Sequence, residues 1–152
     1  MKAIDIATAG AATVHPEAPL SEAARIMLDH NVSGLPVINH DGKLVGMLTE
    51  RDFIRQDNRF RPRWIDVLMG DRSGDTAAAQ LHTRRVEDRM TRNPITIGPE
   101  TPLPEVIEIM EQQNVKRLPV VANQVVVGIV SRSDVLRALL RTSNRSSLGS
   151  VR

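Results

Sequence analysis

Thr13–Ile38 reads TVHPEAPLSEAARIMLDHNVSGLPVI, and Thr96–Val121 reads TIGPETPLPEVIEIMEQQNVKRLPVV; the two lie over one another without a gap. Half of the paired positions are identical. Thr13, Pro16, Glu17, Pro19, Leu20, Glu22, Ile26, Met27, Asn31, Val32, Leu35, Pro36 and Val37 recur as Thr96, Pro99, Glu100, Pro102, Leu103, Glu105, Ile109, Met110, Asn114, Val115, Leu118, Pro119 and Val120. After one residue is dropped in the second copy, Val45 to Asp52 (VGMLTERD) matches Val127 to Asp134 (VGIVSRSD). Such a duplication implies two pseudo-symmetric halves, with function expected where they meet.

Each copy reads as the same run of elements. In the first, Ala12–His15 is a short extended segment closed by Pro16. Ser21 reads as an N-cap, and Leu20, Ala23, Ala24, Met27 and Leu28 fall at helical spacing. Asn31 suits the residue past the helix end, where a left-handed backbone is common. Leu35–Asn39 and Lys43–Leu48 read as strands around a His40-Asp41-Gly42 turn, and Thr49 opens a second helix. The second copy gives a strand at Ile95–Ile97 and a helix from Pro104 to Gln113, with Pro104 in the first helical turn. Strands follow at Leu118–Val121 and Val125–Val130, then a helix from Arg132 to about Arg141. The unit is β-α-β-β-α, repeated.

Between the copies, Arg63–Met69 and Thr76–His82 read as helices separated by a Gly70–Asp75 loop, and Val86–Met90 reads as a short helix leading into the second copy. Trp64, Ile65, Val67 and Leu68 need burial. The expected division is 1–57, first repeat; 58–85, helical linker; 86–141, second repeat; 142–152, a disordered tail, where Ser, Asn, Gly and Arg leave no apolar face.

Composition excludes several function classes. The chain of 152 residues suits one compact domain or two halves sharing a core. No apolar run approaches the ~20 residues of a spanning helix, and MKAIDIATAG, with Asp5 inside it, is a poor signal peptide. Cysteine is absent, which removes disulfides, thiol catalysis and thiolate metal sites and leads us to expect a cytoplasmic protein. Net charge is only +2 and aromatic content 2%, so the clusters Arg55, Arg59, Arg61, Arg63 and Arg141, Arg145, Arg152 read as solvated surface rather than a nucleic-acid platform. His15, His30, His40 and His82 show no metal-binding spacing, and no P-loop, nucleophile elbow or G-x-G-x-x-G occurs. Met27 and Met110, at matched helix positions, read as core.

The chemistry sits in Gly46-Met47-Leu48-Thr49-Glu50-Arg51-Asp52 and its twin Gly128-Ile129-Val130-Ser131-Arg132-Ser133-Asp134. A hydroxyl residue followed at +3 by an acid resembles a helix capping box. The same geometry also suits a ligand. A helix N-terminus attracts phosphate, Thr49 or Ser131 adds a hydroxyl donor, and the two oxygens of Asp52 or Asp134 suit the two hydroxyls of a ribose. Gly46 and Gly128 would let a ligand approach the strand closely. The readings are compatible.

These motifs resemble CBS domains, the family named after cystathionine β-synthase, in tandem. The resemblance covers about residues 1–141 and rests on the T-x-x-P-x-x-x-L opening, the L-P-V strand and the G-h-h-[ST]-x-x-D ending, each present twice. It implies an α/β (α+β) fold of two repeats about a pseudo-twofold axis, with two clefts that take adenosine-containing ligands such as AMP, ADP, ATP or S-adenosylmethionine, nucleotides with or without Mg2+, and no required cofactor. Thr49 and Ser131 would face phosphate or ribose, and Asp52 and Asp134 would bind ribose. Leu35-Pro36-Val37 and Leu118-Pro119-Val120, with Val14 and Ile97, would line the base pocket. Arg117 is a candidate phosphate ligand, or else a solvated arginine. The second copy matches the family's D-x-M-T lead-in with Asp88-Arg89-Met90-Thr91 and Asn93-Pro94. The first has Asp5-Ile6-Ala7-Thr8 and Ala11, which leaves its lead-in geometry open. The implied protein is not an enzyme but a regulatory module, pairing as a homodimer through Phe53, Ile54, Val135, Leu136, Leu139 and the linker, and acting on an unnamed partner protein. A ligand-free dimerisation module and a nucleic-acid-binding regulator are the rival readings.

Overall fold

The structure is a computed structural model and describes residues 1–54 and 73–149. Its elements, in chain order, are α1 (Ala3–Ile6), α2 (Leu20–Asp29), β1 (Gly34–Ile38), β2 (Leu44–Thr49), α3 (Glu50–Ile54), α4 (Ser73–Thr83), a 3₁₀ turn at Val86–Asp88, β3 (Thr91–Arg92), α5 (Leu103–Gln113), β4 (Arg117–Ala122), β5 (Val125–Ser131) and α6 (Arg132–Gly149). The mixed α/β repeat read from the sequence is present twice, as α2-β1-β2-α3 and α5-β4-β5-α6. The leading strand of each copy shrinks to one parallel bridge, Val14 with Val37 and Ile97 with Val120. Arg63–Met69 and the Trp64 group lie outside the described residues.

The compact units do not follow the repeat boundaries. One unit joins Met1–Ala11 and Gly42–Leu44 to Ile95–Arg152; the other joins Ala12–Asp41 to Val45–Pro94. Each repeat therefore carries the segment that precedes its twin in the chain. In the unit of the first repeat, β3 pairs antiparallel with β2, setting Gly46 opposite Arg92 and Met47 opposite Thr91. In the unit of the second, Thr8 exchanges amide bonds with Ile129, at 2.9 and 3.1 Å.

Glycine is what permits these approaches. A Cβ on Gly46 would lie 2.9 Å from the Thr91 carbonyl oxygen and 2.6 Å from the Met90 sulfur, and one on Gly128 would lie 3.0 Å from the Thr8 carbonyl oxygen. This corrects the expectation that both glycines make room for a ligand, because the protein's own backbone takes the space. The missing proline of the first lead-in changes little, since Gly10 takes a positive φ of 66° where Asn93, its counterpart, takes 48°.

The two cores are built from matched positions. Leu20, Ala23, Met27, Leu35, Val37 and Leu48 are buried with Val14 and Val86 in one. Leu103, Val106, Met110, Leu118, Val120 and Val130 are buried with Ala3, Ile6, Ile97, Val135 and Ala138 in the other. Both helices before the hairpins end alike: Asn31 and Asn114 each have φ 51°, and Val32 and Val115 donate to the carbonyls of Met27 and Met110.

Three local readings change. Ser21 is not an N-cap; α2 starts two residues earlier than that cap implies, at Leu20 with Pro19 at the cap, and the Leu20 amide donates to the Arg84 carbonyl at 3.0 Å. Leu28 is 81% exposed rather than on the buried face. Residues 142–149 continue α6 as helix instead of forming an irregular tail. The Thr142 hydroxyl donates back to the Ala138 carbonyl at 3.0 Å, so a residue expected to break the helix is accommodated in it.

Gly46→Ala and Gly128→Ala should each destabilise the protein, by about 1–3 kcal/mol, as overpacking against backbone does. Urea unfolding measures this, and an unchanged midpoint in both variants would disprove the close-approach role.

Candidate functional site

Each candidate site lies within one unit and is built from a hairpin strand running into a helix. In the second repeat, β5 ends at Ser131 and α6 begins at Arg132. Asp134 is one turn in and only 8% exposed. Its Oδ2 accepts the Ser131 amide at 2.8 Å and the Ser131 hydroxyl at 2.9 Å. The Asp134 amide donates in turn to Ser131 Oγ at 3.2 Å. Oδ1 accepts Arg137 Nη2 at 3.1 Å. The Arg132 amide donates to the Lys116 carbonyl at 3.0 Å, tying the first turn of α6 to the start of β4.

The first repeat repeats this arrangement more loosely. Thr49 precedes α3, the Thr49 amide donates to Asp52 Oδ2 at 2.8 Å, and the hydroxyl stands at 3.4 Å from the same oxygen. Asp52 is 7% exposed. The Glu50 amide donates to the Ser33 carbonyl at 3.2 Å, the counterpart of the Arg132–Lys116 bond.

Capping by an aspartate three residues on is general in this chain. The Lys2 amide donates to Asp5 at 2.8 Å and the Arg85 amide to Asp88 at 2.9 Å. All four satisfy an amide that a helix start leaves without a partner. What sets the two candidate sites apart is the hydroxyl residue at the cap. There the carboxylate, a rotatable O–H and the helix N-terminus are brought together.

The remaining predicted residues fall around these two points. Arg117 is paired directly across the hairpin from Ser131, so their side chains share a face. Gly34 holds the same place in the first copy and carries no charge. Val14 is hydrogen-bonded to both sides of Val37, its amide to the Pro36 carbonyl at 3.1 Å and its carbonyl to the Ile38 amide at 2.9 Å. Ile97 does the same around Val120, through Pro119 and Val121 at 3.1 and 2.8 Å. The side chains of Leu35, Pro36, Val37, Leu118, Pro119 and Val120 are buried. Arg137 was not singled out from the sequence, although its place three residues beyond Asp134 on a helix was signal enough.

Other features lie away from these points. The rings of His15 and His40 stack at 5.3 Å, with His40 Nε2 3.6 Å from Glu17. Among the described residues, no group of three His, Asp or Glu could hold a metal ion, and no helix is long and apolar enough to cross a membrane. An apolar groove of about 340 Å³ runs between α5 and α6, lined by Ile107, Met110, Glu111, Arg132, Val135 and Leu136. Of the residues expected at a dimer contact, Val135 is buried in the core and Phe53 packs partly against one, whereas Ile54, Leu136 and Leu139 are exposed.

The chain is 32% identical to an uncharacterized protein of Methanocaldococcus jannaschii, over 84% of each. It spans only 21% of the inosine-5'-monophosphate dehydrogenase of Korarchaeum cryptofilum, to which it is 36% identical. Among solved structures it resembles CBSX2 in complex with AMP, at TM-score 0.73 and 25% identity over 92% of this chain and 97% of that one. It also resembles a CBS domain pair in complex with 5'-methylthioadenosine and S-adenosyl-L-methionine, at TM-score 0.71 and 29% identity over 93% and 98%. The family model for the CBS domain matches residues 3–58 and again 86–141, and with the doubled strand-to-helix motif this places the chain in the CBS domain family.

Proposed function

We propose that this chain is a non-catalytic regulatory module that binds an adenosine-containing ligand, an adenine nucleotide or S-adenosylmethionine, at Ser131–Asp134 and at Thr49–Asp52. The observation that carries the reading is the head of α6. A buried carboxylate, a hydroxyl able to turn and an arginine on the facing strand stand together there, in a chain whose fold is that of proteins solved with AMP and with S-adenosyl-L-methionine. Asp134 supplies acceptors for ribose hydroxyls. Ser131, the first amides of α6 and Arg117 supply donors for a phosphate. Leu118–Val120 and Ile97, like Leu35–Val37 and Val14 in the first repeat, are buried in the core, so they would hold the frame of the base pocket rather than cover the base.

The chemistry is that of recognition. Asp52 and Asp134 cap their own helices at equivalent sites, and we do not read them as an acid/base pair. The module acts in the cytoplasm, and a nucleotide brings its own Mg2+ where one is needed. Output requires a ligand with different affinities for two states of the protein, and it passes to a second copy or to a separate partner protein. The exposed Leu136, Leu139 and Leu140 on α6, 62%, 44% and 64% accessible, support a homodimer. The same stripe favours the rival reading, a dimerisation module that uses no ligand.

Thermal unfolding against AMP, ADP, ATP with and without magnesium, and S-adenosylmethionine separates the two. A ligand of the folded state at ~100-fold excess over Kd adds roughly 2.7 kcal/mol of stability. A selective, saturable rise is expected; no response to any of them at millimolar concentration would leave the dimerisation module.

Asp134→Asn and Asp52→Asn should each keep the fold and weaken binding at their own site by about 10- to 100-fold, as loss of hydrogen bonds to a charged group does. Calorimetric titration reads both. Unchanged affinity in both folded variants would show that the ligand sits elsewhere.

A further inference from the structure

Asp134 has two carboxylate oxygens and about four acceptor positions between them. Three are taken. The Ser131 amide and hydroxyl share Oδ2, and Arg137 Nη2 holds one position on Oδ1. A ribose diol brings two donors to the single position left.

The three resident donors are not equally free to move. The amide is fixed by the turn into α6. Arg137 reaches in from solvent, its side chain 62% exposed against 10% for that of Asp134. The Ser131 O–H turns about a single bond, and Ser131 Oγ can keep the Asp134 amide, at 3.2 Å, while its own hydrogen points elsewhere.

We propose that Arg137 is a positioning residue that couples sugar recognition to phosphate recognition at this site. By occupying Oδ1 it obliges an incoming diol to place one hydroxyl on Oδ1 and the other on Oδ2. The second displaces the Ser131 hydrogen, which then turns to donate to the ligand's phosphate. Without Arg137 both sugar hydroxyls fit on Oδ1, and Ser131 stays turned toward Asp134. The inference rests on the adenosine-ligand reading and adds a consequence to it: a phosphate strengthens binding more on a ribose than on a deoxyribose.

The test is calorimetric titration with adenosine, AMP, 2'-deoxyadenosine and 2'-deoxy-AMP, in an Asp52→Asn background so that the second-repeat site dominates. The gain in affinity from adenosine to AMP should exceed the gain between the deoxy pair by about 3- to 10-fold, the worth of one hydrogen bond. Arg137→Met should bring the two gains within about twofold of each other, the usual limit of additivity. Arg137→Lys, which still offers Oδ1 a donor, should restore the difference. Ser131→Ala should abolish it by removing the hydroxyl, which tests the coupling independently of Arg137.

Equal gains in the parent protein, a difference that survives Arg137→Met, or one that survives Ser131→Ala would overturn the coupling while leaving the adenosine site standing. If none of the four ligands binds, the adenosine reading itself fails and the coupling falls with it.

Discussion

The constraint on which the rest depends is the passage of one backbone over another at Gly46 and Gly128. A carbonyl oxygen, from Thr91 in one case and Thr8 in the other, lies 2.9 and 3.0 Å from where a Cβ would stand, closer than a methyl group is tolerated. With hydrogen there instead of a side chain, β3 can pair with β2 and Thr8 can pair with Ile129. These pairings fix which segments make a unit. They also explain why the first eleven residues pack with the second repeat while Val86–Pro94 packs with the first. A repeat is thus not a folding unit by itself. Its hairpin needs a lead-in that the chain supplies from the other copy.

On that scaffold the strand-to-helix junction caps a helix with the same atoms that the proposed site would offer a ligand. The carboxylate of Asp134 or Asp52 satisfies the amide just before its helix. Asp5 and Asp88 do the same where no hydroxyl residue stands at the cap. Capping is worth about 1 kcal/mol and is reason enough for the aspartates. The hydroxyl at Ser131 adds to that cap, since its Oγ accepts the Asp134 amide at 3.2 Å, while the amide bond at 2.8 Å is made with or without it. Hydroxyl residues stand at these two junctions and not at the other two, and it is these hydroxyls that the proposed recognition of a ligand would draw on beyond capping.

Much of this was legible in the sequence, and the parts that were not have physical reasons. The duplication gave the element order, the apolar spacing gave Leu20, Ala23 and Met27 as core, and the match of Met110 to Met27 carried the same reading to the second copy. Asn31 marked the left-handed residue beyond its helix. That Thr49 meets Asp52 and Ser131 meets Asp134 was legible because a short motif sets each pair on one helical turn. The exchange of lead-in segments was not, since it joins residues as far apart as Thr8 and Ile129, and local pattern carries no such contact. The two glycines were given to a ligand for the same reason. Leu28 has an apolar side chain at helical spacing, yet nothing covers it in this structure. The continuation of α6 past Arg141 was hidden by composition, because Ser, Thr and Asn disfavour helix only mildly and Thr142 can bond back to the turn before it.

The two junctions share a backbone and differ in what stands around it. Ser131 lies 2.9 Å from its carboxylate and Thr49 lies 3.4 Å from its own. Across the hairpin from Ser131 is Arg117, whereas Gly34 stands at the matched place in the first copy. An anion near the head of α6 would meet a cation on the facing strand, and one near the head of α3 would meet none from that position. Duplication with this pattern holds constant what the fold needs: the glycines, the capping acids and the core positions. It leaves the neighbours of the proposed sites to diverge. Two sites of equal affinity fill over the same range of ligand concentration. Sites that differ by one phosphate contact, about 1.5–3 kcal/mol for a charge-assisted bond, fill in ranges separated by roughly 10- to 100-fold. On the proposed reading, one small chain would then distinguish a low concentration of ligand from a high one.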